Sequence, residues 1–192
     1  MLTVANVSVL RKAHLRLRVF FWPVLGGLAF GTLAVLAVFL FLLVRPEPWH
    51  AARYAIPLSG MLLGNCLRGN ILVLERFLGG IRRDRDAFLN YLSMGATRRE
   101  AARPFLRESV QAAFAPTVAT MATMGIVSLP GMLTGQVLGG ADPLVAIRYQ
   151  VAIMLGIFMS LTLSALCTTQ LSLRSAFDEL EMPREDVFAD AD

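Results

Sequence analysis

Residues 20–44 read FFWPVLGGLAFGTLAVLAVFLFLLV and contain no charged side chain. A second uncharged segment, VAIMLGIFMSLTLSALCTTQLSL, occupies residues 151–173. An α-helix rises about 1.5 Å per residue and the hydrocarbon core of a bilayer is about 30 Å thick, so about 20 apolar residues are enough to cross it. We therefore predict that both segments are transmembrane helices.

The composition of the whole chain agrees with a membrane environment. Its 192 residues are 56% hydrophobic and only 17% charged, and the mean hydropathy is +0.60, which is too apolar for an ordinary soluble domain of this length. Two less uniform spans are predicted at residues 55–77, which include Arg68 and Glu75, and at residues 116–138, which Pro130 interrupts. The predicted fold is all-α and polytopic, with four full spans.

The basic residues predict how the chain is oriented. They cluster before the first span and between the second and third, so the positive-inside rule places both segments in the cytoplasm. We expect a multi-pass protein of the inner or plasma membrane, with a membrane domain at residues 1–175 and an acidic cytoplasmic tail at residues 176–192. The apolar residues 1–10 are too few to cross a bilayer and predict a partial N-terminal helix that enters from outside.

Residues 82–110 contain the strongest local pattern. Apolar side chains at helical spacing precede Gly95, a residue that favours the end of a helix. Thr97 and Glu100 then fit a capping box, in which each side chain accepts a hydrogen bond from the other residue's backbone N–H at the start of a new helix. The sequence predicts a helix, a glycine turn and a second helix at the membrane surface.

A basic stripe runs along the predicted second helix. Arg99, Arg103 and Arg107 recur at intervals of four residues and therefore share one helical face. Such a face suits anionic lipid headgroups or a protein partner. The alternative interpretation is that the stripe only sets topology and anchors the loop to lipid.

At this loop the chain resembles known proteins. Residues 91–97, Tyr-Leu-Ser-Met-Gly-Ala-Thr, are similar to the cytoplasmic "EAA" loop of ABC permeases, which docks into a groove of the partner ATPase. The loop departs from that pattern at residues 89–91, where Leu-Asn-Tyr replaces the usual Glu-Ala-Ala. Three further segments resemble the FetB-like family (UPF0014), which includes permeases assigned to iron export in bacteria and to aluminium resistance in plants. These segments are residues 56–65, 127–136 and 142–150, and the whole resemblance covers residues 1–173.

The resemblance implies the function and the partners. The chain would be the permease subunit of an ABC transporter that exports a metal ion such as iron, as a homodimer in the bilayer with separate ATPase subunits. It would not be an enzyme, and it would bind no cofactor, resident metal or nucleic acid. Family members carry more sequence before the position of Met1, so the chain resembles an N-terminally short version. The implied ATPase-coupling residues are Tyr91, Leu92, Gly95, Ala96, Thr97, Glu100, Arg103 and Arg107.

Two features of the membrane segments indicate where a pathway or hinge would lie. Pro130 removes a backbone hydrogen bond from the third span, and transporters use such breaks at substrate sites or hinges, although a tolerated kink is an equal alternative. Small residues four positions apart, such as Gly60 and Gly64 or Gly131 and Gly135, indicate close helix packing or dimer contact. The candidate pathway or hinge residues are Asn65, Asn70, Ser128, Pro130, Gly131, Thr134 and Gln136.

Other classes of function fit the sequence less well. Lys12 is the only lysine, so the chain cannot contain a phosphate-binding P-loop, and any ATPase is a separate chain. A membrane enzyme is disfavoured because His14 and His50 fall on opposite predicted sides of the membrane. The remaining alternatives are a non-transporting membrane assembly or regulatory protein, and a degenerate or truncated permease.

Overall fold

The computed structural model describes residues 2–13, 17–44, 52–126 and 130–175, and every regular element within them is a helix. The all-α prediction is therefore confirmed for these residues, while the predicted acidic tail and Ser128 lie outside them. The elements are α1 (Leu2–Lys12), α2 (Leu17–Val38) with a π-helical segment (Phe39–Val44) at its end, α3 (Ala52–Arg83), α4 (Arg85–Ser93), α5 (Arg98–Thr123), α6 (Gly131–Leu138) and α7 (Pro143–Ser175).

Two of the described helical stretches are long and apolar enough to cross a bilayer. They are Val19–Phe41 and Pro143–Ser175, and they contain most of the two uncharged segments from which the fold was predicted. Their 23 and 33 residues extend about 35 and 50 Å at 1.5 Å per residue, so each exceeds the thickness of the hydrocarbon core. The first predicted span agrees with its helix to within three residues, and the second lies inside a helix that begins eight residues earlier.

The predicted span 55–77 lies within α3, which is one continuous helix of 32 residues. The charged residues Arg68, Glu75 and Arg76 are all exposed on this helix, so α3 is less uniformly apolar than α2 or α7. Arg68 and Glu75 form no ion pair with each other in the described part of the chain. Four full spans are not confirmed, and that number stays a prediction.

The predicted span 116–138 is not one continuous helix: the interruption predicted at Pro130 is present, and it begins upstream of that residue, after Thr123. Helix α5 ends at Thr123 and α6, with only eight residues, begins at Gly131. Gly125 has a φ of +83°, which lies in the left-handed region and cannot continue a right-handed helix. Pro130 has an extended conformation, with φ −62° and ψ 137°, and occupies the N-cap of α6. Both residues favour an interruption of the helix here.

The closest helix packing joins α2 to α7. A Cβ atom added to Gly27 would lie 2.8 Å from the backbone nitrogen of Thr168, and one added to Gly31 would lie 2.7 Å from that of Ser164. Any side chain at either glycine would therefore collide with backbone. Because lipid offers no hydrophobic drive for helices to associate, close approach at small residues is the expected source of attraction between them.

The residues singled out in the sequence as packing glycines behave differently. No atom lies within 4 Å of a Cβ added to Gly60, Gly64, Gly131 or Gly135. These four glycines therefore make no close helix contact with the described residues, which leaves only the dimer contact of the two predicted roles. A contact between two copies of the chain at these positions remains a prediction.

Helix α1 packs beside α2 and α3 and completes a buried core. Val9 and Leu10 are fully buried in one cluster with Phe20, Phe77 and Phe88. Asn6, also fully buried, donates a hydrogen bond from Nδ2 to the backbone oxygen of Phe21 over 2.9 Å. The core therefore extends from α1 and α2 along α3 to α4, and it connects the membrane helices to the predicted coupling loop. 

Candidate functional site

The predicted helix, turn and helix of the loop are present as α4, residues 94–97 and α5. Gly95, with φ +86°, donates its N–H to the oxygen of Leu92 over 3.0 Å, and Ala96 donates to the oxygen of Tyr91 over 3.1 Å. This pair of bonds is the Schellman motif, which satisfies the last carbonyl groups of a helix and requires a left-handed residue at the position of Gly95. The turn is therefore determined by the glycine.

The predicted capping box at the start of α5 is confirmed. The backbone N–H of Thr97 donates to Oε2 of Glu100 over 2.8 Å, and the N–H of Glu100 donates to Oγ1 of Thr97 over 3.4 Å. The Thr97 hydroxyl also donates to Oε2 of Glu100 over 2.7 Å. The bond from the Thr97 hydroxyl lowers the pKa of the Glu100 carboxyl below its ordinary value most strongly. The bond from the Thr97 N–H and the charge of Arg103 act in the same direction.

We call residues 85–110 the surface hairpin, because α4 and the first half of α5 pack against each other at one end of α3. Phe88 is fully buried, and its ring centroid lies 6.3 Å from that of Phe105. A Cβ atom on Gly80 of α3 would lie 3.3 Å from the Phe105 ring, so this ring is seated directly on the helix. The contact gives the hairpin a rigid base.

The opposite side of the surface hairpin is open to solvent. Tyr91 is 41% exposed and Met94, at the tip, is 73% exposed. Arg99, Arg103 and Arg107 of the basic stripe are exposed as well. We name these five residues the hairpin face; its apolar tip and basic flank form a surface without a cover from the described part of the chain.

The eight predicted coupling residues divide between this open side and the base. Six of them are exposed, while two are half-buried against the hairpin core. The exposed residues are Tyr91, Gly95, Thr97, Glu100, Arg103 and Arg107, and the half-buried residues are Leu92 and Ala96.

Of the predicted pathway residues, Asn70 occupies the most enclosed position. Its Nδ2 donates to Oγ of Ser164 on α7 over 2.6 Å and to the backbone oxygen of Cys66 over 2.8 Å. Its Oδ1 is buried and has no hydrogen-bond partner among the described residues. The Cys66 sulfur lies 3.0 Å from Oγ of Ser160, which donates to the backbone oxygen of Gly31 over 2.9 Å. Polar contacts thus join α2, α3 and α7.

These contacts belong to a row of hydroxyl groups that the sequence reasoning missed. Ser160, Ser164, Thr168 and Ser172 recur every fourth residue of α7, and each is completely buried. The signal was present in the second uncharged segment, because residues four apart share a helical face. We call these four residues the hydroxyl row.

The structure does not bring the other pathway candidates that it describes to Asn70. Asn65 donates to the oxygen of Met61 in its own helix over 2.8 Å and lines a cleft. Thr134 is exposed and its hydroxyl donates to the oxygen of Pro130 over 3.3 Å. Gln136 is half-buried and Gly131 exposed, both on α6, which packs mainly on α7. Pro130 and α6 therefore form a place separate from the hydroxyl row.

No candidate site for a resident metal ion is found in the described residues. They contain no group of three or more histidine, cysteine, aspartate or glutamate side chains close enough to share an ion. The polar groups that are buried together are neutral amides and hydroxyls.

Long apolar helices and a tightly packed α2–α7 pair are features typical of a helical membrane protein. The chain belongs to the uncharacterised protein family UPF0014, whose family model matches residues 1–177. It is 36% identical to a UPF0014 membrane protein of Synechocystis and 32% identical to the UPF0014 membrane protein YjkA of Bacillus subtilis. These matches cover 93% and 92% of this chain and 69% of each relative.

A third relative has a more specific name. The chain is 32% identical to the "Probable iron export permease protein FetB" of Escherichia coli over 123 residues, which are 64% of this chain and 48% of the relative. No solved structure matches the chain. The comparisons therefore confirm the family resemblance, and they place a protein named as a permease among the relatives.

Proposed function

We propose that the chain is the permease subunit of an ABC transporter, that it exports a metal ion such as iron, and that a separate ATPase drives it through the surface hairpin. The relative named as an iron export permease supports the class and the cargo. The observation that carries the coupling proposal is the surface hairpin itself, which packs on α3 and is open at the five residues of the hairpin face.

The hairpin has the mechanical properties that coupling requires. Its turn is fixed by the Schellman motif at Gly95 and by the capping box at Thr97, so a force on the tip moves both helices together. The base transmits this movement through Phe88 and Phe105 to α3. Helix α5 extends from Arg98 to Thr123, about 39 Å at 1.5 Å per residue, with Pro104 and Pro116 inside it. It thus links the tip to the break before α6, where a hinge is proposed.

The predicted pathway residues would line the path of the ion. Two copies of the chain would enclose it, with the break at Pro130 and Gly131 as the hinge and with Thr134, Gln136 and Ser128 beside it. Asn65 and Asn70 would contribute amide oxygens from α3. Iron and similar ions accept oxygen ligands of this kind weakly, which suits a cargo that has to be released.

The coupling proposal is tested by copurification. The chain is expressed with the ATPase encoded beside it, and ATP hydrolysis is measured in lipid with and without Gly95→Trp. We expect a stable complex whose stimulated hydrolysis is lost in the variant. Gly140→Trp is the matched control, because Gly140 also has a positive φ, +87°, and open surroundings, but lies in the turn before α7.

Two results would contradict the proposal. If no ATPase copurifies with the chain, the hairpin does not couple, and the interpretation as a membrane assembly protein replaces it. If Gly95→Trp and Gly140→Trp reduce hydrolysis equally, the effect is general strain. The cargo is tested separately, by loading vesicles with iron and measuring its ATP-dependent movement.

A further inference from the structure

A cleft of about 500 Å³ opens between α3, α5 and α7 beside the end of α1. Neither the hairpin face nor the hydroxyl row belongs to it, and none of the coupling residues lines it. The described residues that line it combine basic, neutral polar and apolar side chains. They include the basic Lys12 and Arg68 and the polar Asn65 and Thr117.

The charge of this cleft has one sign. Lys12 and Arg68 are the two charged residues in the described lining, and both are exposed. Neither forms an ion pair or a side-chain hydrogen bond with another described residue. A basic side chain along a membrane helix is costly unless it faces water or an opposite charge, so such a residue indicates a functional site. The described lining contains no acid, so an anionic ligand would supply the opposite charge.

The donor groups suit a phosphate. The guanidinium group of Arg68 presents a planar fork of N–H donors that can bind two phosphate oxygens at once, and the ammonium group of Lys12 adds a compact point charge. Thr117, half-buried in the same wall, adds a hydroxyl that has no partner among the described residues. The two positive charges also make the cleft unfavourable for a free metal cation. Of the described pathway candidates, only Asn65 also lines this cleft.

The floor of the cleft is apolar. Ile71 and Leu72 of α3 face Met154, Ile157 and Leu161 of α7, and all five are at least half-buried. A small inorganic anion would leave this floor in contact with water. A ligand that carries an apolar chain next to its phosphate would cover the floor and bind the basic residues together.

We propose that this cleft binds an amphiphile with a phosphate group, the phosphate on Arg68 and Lys12 and the apolar chain along the α3–α7 floor. Basic pockets between membrane helices bind anionic lipid headgroups by the same chemistry. A membrane phospholipid and a soluble phosphate share the headgroup interaction, and the apolar floor distinguishes the phospholipid. The proposal does not depend on ATPase coupling or on the identity of the exported ion.

The test measures lipid binding to the purified full chain. The protein in mild detergent is titrated with phosphatidylglycerol, phosphatidylcholine or inorganic phosphate, and bound ligand is counted by native mass spectrometry. We expect phosphatidylglycerol to bind more tightly than phosphatidylcholine. Arg68→Gln and Lys12→Gln should each weaken phosphatidylglycerol binding about fivefold. Arg68→Lys keeps the charge but loses the fork, so it should fall between Arg68→Gln and the unaltered chain.

Arg76→Gln provides the matched control, because Arg76 is exposed on the same helix outside the cleft. It removes the same charge and should leave binding unchanged. Lys12 is exposed at the end of α1, so Lys12→Gln should not disturb folding. It therefore still tests the proposal if Arg68→Gln fails to fold.

Three outcomes would overturn the proposal. Equal binding of the two lipids would show that the basic residues do not recognise the headgroup charge. Equal losses in Arg76→Gln and Arg68→Gln would show a nonspecific charge effect. Displacement of the lipid by inorganic phosphate at a similar concentration would show that the apolar floor contributes nothing, and that the site takes a soluble phosphate.

Discussion

Asn70 on α3 donates a hydrogen bond to Ser164 on α7 across 2.6 Å, at a point where both side chains are completely buried. The two residues are 94 positions apart in the chain, and their contact connects a helix with exposed charges to the most apolar helix pair of the fold. In a membrane interior the alternative to this bond is an unsatisfied amide, because no water competes for it. The contact therefore has consequences for stability that can be measured.

We expect Asn70→Ala to reduce the free energy of unfolding by about 1 kcal/mol, the usual size of an interhelical hydrogen bond in a membrane protein. Unfolding in mixed micelles with increasing sodium dodecyl sulfate measures the change. Asn65→Ala is the control, because the Asn65 amide bonds only to the carbonyl of Met61 in its own helix. A double-mutant cycle with Ser164→Ala isolates the pair, and an interaction energy of zero would contradict the prediction.

A second prediction concerns the contact between α2 and α7. Gly31→Ala should destabilise the fold by about 1–3 kcal/mol, because the added methyl group collides with the α7 backbone at Ser164. Gly26→Ala should be neutral or stabilising by up to about 1 kcal/mol, since its Cβ would lie 3.6 Å from Leu171 and alanine favours helix. The same unfolding assay compares the two variants. Equal effects would mean that α2 and α7 do not approach this closely.

The capping box predicts a pH dependence of the surface hairpin. The pKa of Glu100 is lowered in the folded hairpin, so its carboxylate contributes stability above its unfolded pKa, and this contribution is lost as pH falls through the folded pKa. Hydrogen exchange of the amides at residues 97–100 should therefore accelerate in acid relative to the rest of α5. Glu100→Gln retains a capping acceptor without the charge. In this variant the acceleration of exchange in acid should disappear. If the variant accelerates in acid as much as the unaltered chain does, the assignment to Glu100 is contradicted.

The threonine of the same box provides an independent measurement. Thr97→Ala should destabilise the start of α5 by about 1 kcal/mol, since it removes the side-chain oxygen that accepts the N–H of Glu100. Thr97→Ser retains that oxygen and should have a small effect. The local free energy of opening, from hydrogen exchange at Glu100, distinguishes the two substitutions. Equal protection in both variants would mean that the cap does not hold the hairpin.

A last prediction tests whether the basic stripe contributes to binding of the proposed ATPase. Arg103→Glu reverses a charge on the hairpin face and should reduce the rate of association with the partner ATPase about tenfold or more at low salt, because surface charges steer encounter. Arg148→Glu is the control, since Arg148 is exposed near the start of α7 and lies outside the hairpin face. Surface plasmon resonance with immobilised ATPase measures both rates. Equal rates for the two variants would separate the stripe from ATPase binding.

The sequence was most informative where structure depends on neighbouring residues. The glycine turn at Gly95 and the capping box of Thr97 and Glu100 were predicted correctly, because their hydrogen bonds join residues at most five positions apart. The uncharged segments at residues 20–44 and 151–173 were also found, since hydropathy alone decides whether a helix suits lipid. In the segment 116–138 the sequence indicates a break at Pro130, but the positive φ of Gly125, which ends α5 earlier, is visible only in the structure.

The partners of individual side chains could not be predicted in the same way. Their spacing predicts Gly60 and Gly64 as sites of close helix packing, whereas the close approach of two helices, α2 and α7, occurs at Gly27 and Gly31. A pair of glycines permits close packing, but its spacing does not indicate whether another helix packs there. The position of Asn70 in a predicted span indicates a pathway residue, but only the fold shows that its amide bonds to Ser164.

By itself the sequence determined the helices, the apolar spans and the hairpin turn, because each depends on hydropathy or on hydrogen bonds within one or two turns of chain. Only the tertiary structure decided that α2 packs on α7 through Gly27 and Gly31, that the hydroxyl row meets Asn70, and that Lys12 and Arg68 share one cleft. Those juxtapositions depend on the angles and distances at which separate helices pack. Residues far apart in the chain do not encode them in any local pattern.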